Sequence, residues 1–289
     1  MAQLKEIKRR LQSIRSIKKI TSAMMMVSSA KLRKTQNTIQ NLSLYERKLS
    51  QLMDAFLQEE KEFHSPFTEQ RTVKRIAIVA FSSDSGLVGR FNHNITDALQ
   101  KVVARYRDLG NENILIYAFG EKVATAAQRM GFTLSGDYRK LSAAPSYDAT
   151  RRIAEEWMDD FLRGKIDRVE LIYHHFVNKG NQRVVQEPFL PIELNRGEEQ
   201  TFPIDYIVEP DKKTILLQLV HKVLTLKLFT THLDSVTAEH AARMTAMQIA
   251  TDNADDLTEE LNLEYNKLRQ QSITNELLDI VGGSFGNNG

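Results

Sequence analysis

Residues 211–281 read DKKTILLQLVHKVLTLKLFTTHLDSVTAEHAARMTAMQIATDNADDLTEELNLEYNKLRQQSITNELLDIV and contain neither glycine nor proline. One stripe of positions recurs in this stretch at steps of three and four residues, the period of an α-helix. The stripe consists of Leu216, Leu219, Val223, Leu226, Phe229, Leu233, Val236, His240, Met244, Met247, Ala250, Ala254, Leu257, Leu261, Tyr265 and Leu268. A helix of this length spans roughly 100 Å, and its sustained heptad spacing is typical of a coiled coil.

The N-terminal 65 residues form a second run without helix breakers, because the first proline is Pro66 and the first glycine is Gly86. Its apolar positions are Leu4, Ile7, Leu11, Ile14, Ile17, Ile20, Met24 and Val27, resumed at Leu42, Leu49, Leu52 and Phe56. This spacing predicts one helix over 2–59, with a kink or a change of contact partner at the polar stretch 35–41. We expect the two long helices to pair antiparallel, and the second to stop at Gly282-Gly283.

Strand and helix signals alternate in the centre of the chain. The predicted strands cover 75–81, 113–119, 168–176 and 183–192, and the predicted helices cover 92–108, 121–130 and 147–163. Such alternation is typical of an α/β layer domain. The fold class predicted from the sequence is therefore an α/β, Rossmann-like insert combined with a long antiparallel coiled coil of the terminal helices. The expected boundaries are 1–65, 66–210 and 211–289.

Composition excludes several classes of protein. The chain has no cysteine, which rules out disulfides and thiolate chemistry. No stretch approaches the apolar length of a membrane span, and the N-terminus MAQLKEIKRR lacks the apolar core of a secretory signal. This N-terminus is basic and amphipathic, as transit peptides are, but its helical pattern continues without a cleavage-like break.

Charge is distributed unevenly between the two ends. Residues 1–48 carry twelve Lys and Arg against two Glu, whereas residues 251–281 carry eight Asp and Glu against Lys267 and Arg269. One interpretation is that opposite charges on two paired helices attract; another is that the basic helix meets an acidic partner. Nucleic-acid binding is a third alternative, but residues 1–44 contain no aromatic side chain on which a base could stack.

Motifs for chemistry are weak. The loop Ser82–Arg90 follows a strand and opens a helix, where nucleotide folds bind phosphate, yet it matches neither glycine-rich phosphate motif. A tight turn and a phosphate cradle are the two interpretations of this loop. His174 and His175 are adjacent on a predicted strand, so they point to opposite faces. The long helix carries His221, His232 and His240 without a metal-binding spacing, and we interpret these histidines as structural.

Motifs at both ends of the chain resemble those of the ATP synthase γ subunit family. The N-terminal helix carries Ile7-x-x-Arg10-Leu11-x-Ser13-Ile14, then Lys19-Ile20-Thr21-x-Ala23-Met24-x-Met26-Val27 and Lys31. The C-terminal helix carries Glu239-His240-x-Ala242-Arg243-Met244-x-Ala246-Met247, Ala250-Thr251-Asp252-Asn253-Ala254 and Leu263-x-Tyr265-Asn266-Lys267-x-Arg269-Gln270-x-x-Ile273-Thr274-x-Glu276. The resemblance covers nearly the whole chain and is loose only in the centre. There Ser83-Asp84-Ser85-Gly86-Leu87-Val88-Gly89-Arg90-Phe91-Asn92 lacks the Arg, the Cys and one Gly of the family's Ser-Asp-Arg-Gly-Leu-Cys-Gly-Gly-Phe-Asn.

The resemblance implies a rotor subunit of the bacterial type. In this family the terminal helices turn inside a sleeve of three α and three β subunits, and the α/β domain with the base of the coiled coil contacts the ε subunit and the membrane c-ring. Catalysis resides in β, so the resemblance implies no catalytic residue, cofactor or metal for this chain. It also implies a peripheral complex at the cytoplasmic face of the cell membrane that couples proton flow to ATP synthesis or hydrolysis, with no nucleic acid and no insertion into the bilayer.

The resemblance also implies site residues. The expected contacts with β are Arg9, Arg10, Lys18, Lys19, Met24, Arg269, Gln270 and Thr274, with Lys31, Arg33 and Lys34 extending the basic face. The expected tip inside the sleeve comprises Ile273, Leu277, Leu278, Ile280 and Val281, and the second helix is expected to outrun the first by roughly 18 Å. The expected foot at the c-ring comprises Tyr206 and Glu209. Two alternatives remain open: a static coiled-coil scaffold, and a nucleotide-binding α/β enzyme with coiled-coil arms.

Overall fold

The computed structural model describes residues 2–59, 65–192, 208–209 and 211–285. Two long helices confirm the prediction for the ends of the chain: α1 spans Ala2–Glu59 and α5 spans Lys212–Phe285. Helical backbone continues through residues 35–41. The predicted stop at Gly282-Gly283 is wrong, because α5 runs past both glycines. Glycine costs a helix interior only about 1 kcal/mol relative to alanine, which weakens a helix without ending it.

The centre is a five-stranded sheet with helices on both faces, as the alternating pattern predicted. The strands are β1 (Ile76–Phe81), β2 (Ile114–Phe119), β3 (Leu134–Asp137), β4 (Arg168–Asn178) and β5 (Asn181–Leu190). Their order is β3-β2-β1-β4-β5; the first four are parallel, and β5 pairs antiparallel with β4 at the edge. The short strand β3 was not predicted from the sequence.

The shorter helices cover the sheet. They are α2 (Phe91–Arg105), α3 (Glu121–Arg129) and α4 (Tyr147–Leu162). One apolar cluster joins α2 and α3 to one face of the sheet. A larger cluster on the other face contains Trp157 of α4, which is fully buried, together with residues of α1 and α5. A sheet covered on both faces explains why β1 is an uninterrupted apolar run, IAIVAF, in which every residue is buried.

The chain divides into two compact units. Residues 1–28 and 244–289 form the terminal unit, and residues 29–243 form the layered unit. The terminal unit is an antiparallel helix pair. Thr21 Oγ1 lies 2.8 Å from Thr251 Oγ1, Lys18 forms an ion pair with Asp255, and Arg15 donates to Asn262 Oδ1 at 3.4 Å. Partner positions thus descend along α1 as they ascend along α5, which confirms the predicted antiparallel pairing.

Candidate functional site

Within the terminal unit, the buried face of α1 changes character along the helix. Ile7 and Leu11 are buried against Leu261, as the apolar pattern predicted. Further along, small polar side chains take the contact positions instead: Thr21 is 8% exposed, and its hydroxyl contacts Thr251. Short side chains allow two helices to approach closely, so α1 continues the pairing with small residues while α5 buries Met247 and Ala254.

The apolar residues that follow Ile14 consequently lie on the outside. Ile17, Ile20 and Val27 are 51%, 60% and 57% exposed, although they continue the apolar spacing of the helix. Each step of three residues turns a helix by about 300°, and successive steps therefore rotate the stripe by about 60° away from the seam. The spacing Ile14, Ile17, Ile20 contains two such steps in succession. The result is an exposed apolar stripe, which we call the outer stripe: Ile17, Ile20 and Val27, which lie within about 80° of one another around α1.

Basic side chains lie around Met26 on another side of α1, where Met26 is 63% exposed. A recess of about 480 Å³ is lined by Arg15, Lys18, Lys19, Ser22, Ala23 and Met26. Arg9, Arg10 and Lys19 are exposed, and Met24 is half-buried. Within the terminal unit, α1 thus presents a surface that is cationic and apolar at once, which suits a partner with acidic and apolar side chains.

The ion pairs between the two ends of the chain distinguish attraction between the paired helices from contact with an acidic partner. Across the described residues, the only ion pair that joins 1–48 to 251–281 is that of Lys18 with Asp255, whose side chains are 42% and 51% exposed. An exposed pair of this kind contributes about 1 kcal/mol or less. Attraction between the helices therefore accounts for little of the asymmetry, and most basic side chains of α1 face solvent.

The second candidate surface lies at the end of the terminal unit. Leu4, Lys5, Lys8, Tyr265, Arg269, Ser272, Ile273 and Glu276 line a recess of about 610 Å³. Arg269, Gln270 and Thr274 are exposed beside it. Beyond it, Leu277 and Leu278 of α5 are 58% and 63% exposed. The side chains of Ile280 and Val281 lie outside the described part of the chain. Contiguous exposed apolar residues of this kind mark an interaction site.

The loop between β1 and α2 is a turn that caps α3. Ser82 Oγ accepts the Val123 N–H at 2.9 Å, and Asp84 Oδ1 accepts the Glu121 N–H at 3.1 Å. Both contacts tie the loop to the start of α3. At the start of α2, which this loop opens, the Phe91 N–H donates to the Val88 carbonyl oxygen and Asn92 Oδ1 accepts the Ser83 N–H. These contacts within the protein favour the tight-turn interpretation over the phosphate cradle.

The same loop contacts α5. Arg243 donates to Ser85 Oγ at 3.1 Å and pairs with Glu239 at 2.6 Å, both side chains of the pair being 12% exposed. Val88 and Phe91 meet Ala238 and Ala242 in a small apolar cluster. The crevice at the carboxyl ends of β1 and β4, where doubly wound folds bind ligands, is thus lined by loop residues that hold a helix.

Three histidines, His174, His232 and His240, are buried in the layered unit. His174 is buried against Phe91 with ring centroids 4.1 Å apart, whereas the neighbouring His175 faces outward and contacts Asp234. His232 lies beside Phe81 and Phe119, and His240 is 7% exposed. Burial lowers the pKa of His174, His232 and His240 to about 4. The described residues contain no group of three or more His, Cys, Asp and Glu suited to a metal ion.

The predicted foot is only partly visible. Tyr206 lies outside the described residues, and Glu209 is exposed. Asp211, at the start of α5, accepts the Thr214 N–H at 2.9 Å and so caps the helix. None of the described helices is both long enough and apolar enough to cross a membrane.

These features define a class: a protein with two long terminal helices and an α/β layered unit that holds part of one of them. The comparison of sequences identifies the family within that class. The family model described as ATP synthase matches residues 3–285, and the chain belongs to this family. It is 51% identical to the ATP synthase gamma chain of Bacteroides fragilis, with 99% of this chain and all of that protein covered. The ATP synthase gamma chain of Phocaeicola vulgatus is 49% identical over the same shares of the two chains.

Solved structures support the same fold. A chain of the Euglena gracilis mitochondrial ATP synthase, in a structure of OSCP, F1 and c-ring, aligns with a TM-score of 0.63 at 17% identity. That alignment covers 99% of this chain and 94% of the other. A chain from the central stalk and c-ring of the Tetrahymena thermophila mitochondrial ATP synthase aligns at 0.57 and 21% identity, covering 80% and 99%. At these identities the likeness concerns the fold.

Proposed function

We propose that this chain is the central-stalk rotor of a bacterial ATP synthase, coupling proton flow through the membrane sector to ATP synthesis or hydrolysis. Its partners are three α and three β subunits, an ε subunit and the membrane c-ring, at the cytoplasmic face of the membrane. Catalysis belongs to β. The observation that carries the proposal is the outer stripe, since an exposed apolar stripe on a helix that also carries exposed cations favours a covering partner.

Rotation by such a shaft exchanges the states of its neighbours through differential contact. A helix pair without rotational symmetry touches three equivalent β subunits differently at any instant. It therefore favours a different conformation in each, and turning it moves these preferences around the ring. Only interactions that differ between two conformations shift their equilibrium. The asymmetry of the shaft is therefore what changes the conformations of the β subunits as it turns.

The residues proposed for this contact divide between the two surfaces. Arg9, Arg10, Lys18, Lys19 and Met24 contact acidic and apolar segments of β from α1. Arg269, Gln270 and Thr274 contact β near the end of α5, and Ile273, Leu277, Leu278, Ile280 and Val281 occupy the sleeve. Tyr206 and Glu209 form the foot at the c-ring, and we propose domain boundaries at 65/66 and 210/211.

Tagging the chain and analysing what co-purifies tests the assembly directly. We expect two larger nucleotide-binding proteins in equal amounts, about three of each per copy of this chain. A static scaffold would bring down partners of other stoichiometry. A nucleotide-binding enzyme would bind ATP as the isolated chain.

Charge reversal on the cationic face tests the contact with β. We expect Lys19→Glu combined with Lys18→Glu to lower coupled ATP turnover at least threefold while leaving nucleotide affinity unchanged, because attraction to an acidic partner becomes repulsion. The single change Lys19→Glu retains the ion pair of Lys18 with Asp255. Lys101→Glu with Lys122→Glu, both exposed in the layered unit, is the matched control. Turnover equal to wild type in the reversed complex would contradict the proposed contact.

Truncation of α5 tests the proposed contact near its C-terminal end. We expect a chain ending at Gln270 to lose affinity for the α and β ring at least tenfold, since it lacks the exposed Ile273, Leu277 and Leu278. Affinity is measured by co-purification at falling subunit concentration. A chain ending at Val281, which keeps these residues, is the control. Equal retention of the two chains would exclude a role for this apolar segment in docking.

A further inference from the structure

The β4–β5 hairpin is fastened to one face of α5. Four residues on this face contact the hairpin or its apolar cluster: Lys227, Asp234, Ala238 and Ala242. At 100° per residue they fall within about 80° of one another around the helix. The face is polar at two positions and small at two, and its contacts lie within the layered unit.

Asp234 makes the principal polar contact of this face. Its Oδ2 lies 2.6 Å from His175 Nδ1, and its Oδ1 accepts the Phe176 N–H at 2.9 Å. Both carboxylate oxygens therefore hold neighbouring residues of β4. The Asp234 side chain is only 17% exposed, and hydrogen bonds to a carboxylate are about twice as strong as neutral ones.

A second tether lies two turns earlier on α5. Lys227 Nζ donates to the Pro188 carbonyl oxygen at 3.1 Å and lies 3.7 Å from a Glu187 carboxylate oxygen. The two anchors are separated by roughly 10 Å along the helix axis. Two anchors at different heights resist both sliding and tilting of the hairpin on α5, which one contact alone does not.

Phe176 contributes both a backbone hydrogen bond and an apolar contact to this attachment, which we call the joint. While its N–H donates to Asp234, its side chain packs with Val88, Phe91, Ala238 and Ala242. Pairing between β4 and β5 shifts its register next to Phe176, so the strand backbone there depends on the helix for a hydrogen-bond partner. Loss of the Asp234 carboxylate leaves this N–H without its acceptor.

We propose that Asp234 is a positioning residue that fixes the β4–β5 hairpin on α5 and so transmits torque between the α/β layers and the shaft. This inference rests on the proposed function, because only a rotor needs a joint that bears torque. Asp234 contacts no partner subunit in this role. It acts by keeping β4 in register with the helix that must turn with it.

The joint itself is tested on the isolated chain. We expect Asp234→Ala to increase amide hydrogen exchange at Phe176 at least tenfold. The matched control is Asp97→Ala, which removes a second Asp–His contact of the layered unit, 3.2 Å from His93 at the surface. Unchanged exchange at Phe176 in Asp234→Ala overturns the joint, whatever the complex does.

Torque transmission is tested in the assembled complex reconstituted into vesicles. We expect Asp234→Ala to lower proton pumping per ATP hydrolysed at least threefold, with Asp97→Ala at the wild-type ratio. A merely destabilised chain lowers pumping and hydrolysis together and leaves the ratio unchanged, and this outcome overturns the transmission role. Failure of the wild-type chain to assemble with α, β and c-ring overturns the proposed function and the transmission role together. The hydrogen-exchange result on the isolated chain still tests whether Asp234 fixes the hairpin on α5.

Covalent rescue adds a positional control. The chain has no cysteine, so His175→Cys with Asp234→Cys can be linked selectively by a short bifunctional thiol reagent before assembly. We expect the linked chain to regain the wild-type ratio of pumping to hydrolysis, and the unlinked chain to behave as Asp234→Ala does. A linked chain that stays uncoupled contradicts a positional role for Asp234.

Discussion

Gly120→Ala is expected to lower the free energy of unfolding of the layered unit by about 4 kcal/mol, the sum of backbone strain and a steric clash. Gly120 follows β2 and has φ +110° and ψ 148°, a region that only glycine adopts without strain. A methyl group there would fall on the Ser82 carbonyl oxygen and lie 2.6 Å from Ser82 Oγ. Neither Ser82 atom can withdraw, because Ser82 Oγ accepts the Val123 N–H and the Ser82 N–H donates to Phe119.

Two other glycines separate these contributions. Gly164 has φ +69° with no atom within 4 Å of an added methyl group, so Gly164→Ala should cost only the strain of about 1 kcal/mol. Gly86 has neither a left-handed φ nor a neighbour within 4 Å, so Gly86→Ala should be neutral to within about 0.5 kcal/mol. Urea unfolding of the isolated chains, followed by circular dichroism, measures all three. Equal midpoints for Gly120→Ala and Gly164→Ala would contradict the clash.

The long helices could be predicted from the sequence because nothing in them conflicts. Breaker-free runs, a sustained apolar period and a proline beyond each junction all point to the same boundaries, and α1 and α5 begin and end within a few residues of those expected. The exception is the end of α5, where Gly282-Gly283 was interpreted as a stop. Propensity at two positions is a small term beside the cooperativity of a helix of this length.

Strand β3 could not be predicted, since its cause is tertiary. Leu134–Asp137 is four residues long, half-exposed, and contains Gly136, a residue disfavoured in strands. It pairs with β2 because the Tyr117 ring lies over Gly136, where a methyl group would come within 2.9 Å of ring atom Cε1. Glycine here makes room for a neighbouring side chain, and that requirement is invisible in the local pattern.

The candidate site shows the same division. Exposed cations such as Arg9, Arg10 and Lys19 follow from their charge alone. The outer stripe was not predicted, because Ile17 and Ile20 fit the same helical apolar period as the buried Ile7 and Leu11. Two successive steps of three residues were the available signal, since they rotate the stripe off the seam. Asp234 had no signal at all: an acidic residue in an apolar helix reveals its partners only when β4 is placed beside it.

Acidification from pH 7 to pH 5 is expected to destabilise the layered unit by several kcal/mol through three buried histidines. His174, His232 and His240 have Nδ1 atoms that are buried without a hydrogen-bond partner. Protonation would place a charge and an unsatisfied N–H in each of these sites. Burial accordingly lowers each pKa to about 4 from the ordinary value of 6.5.

The sign of this effect follows from proton uptake. Below pH 6.5 the unfolded chain binds protons at these histidines and the folded chain does not, so stability is complete above pH 6.5 and is lost as the pH falls toward 4. At pH 5 each histidine accounts for about 2 kcal/mol. Burial raises the pKa of Glu46, Asp234 and Glu239. These carboxyls oppose the effect, because on acidification they bind protons at a higher pH in the folded chain than in the unfolded chain.

His174→Phe isolates one contribution. Phenylalanine retains an aromatic ring against Phe91, which the His174 ring contacts at 4.1 Å between centroids, and it does not titrate. We expect the variant to lose about 2 kcal/mol less than wild type between pH 7 and pH 5, measured as urea midpoints at each pH. His93→Gln, in which a 62%-exposed side chain is replaced, should follow wild type. If His174→Phe also follows wild type, the histidine buried on β4 is not an origin of the acid sensitivity. The loss must then come from His232 and His240, the two that α5 contributes, so the pH profile of this one variant assigns acid sensitivity either to the sheet or to the helix it holds.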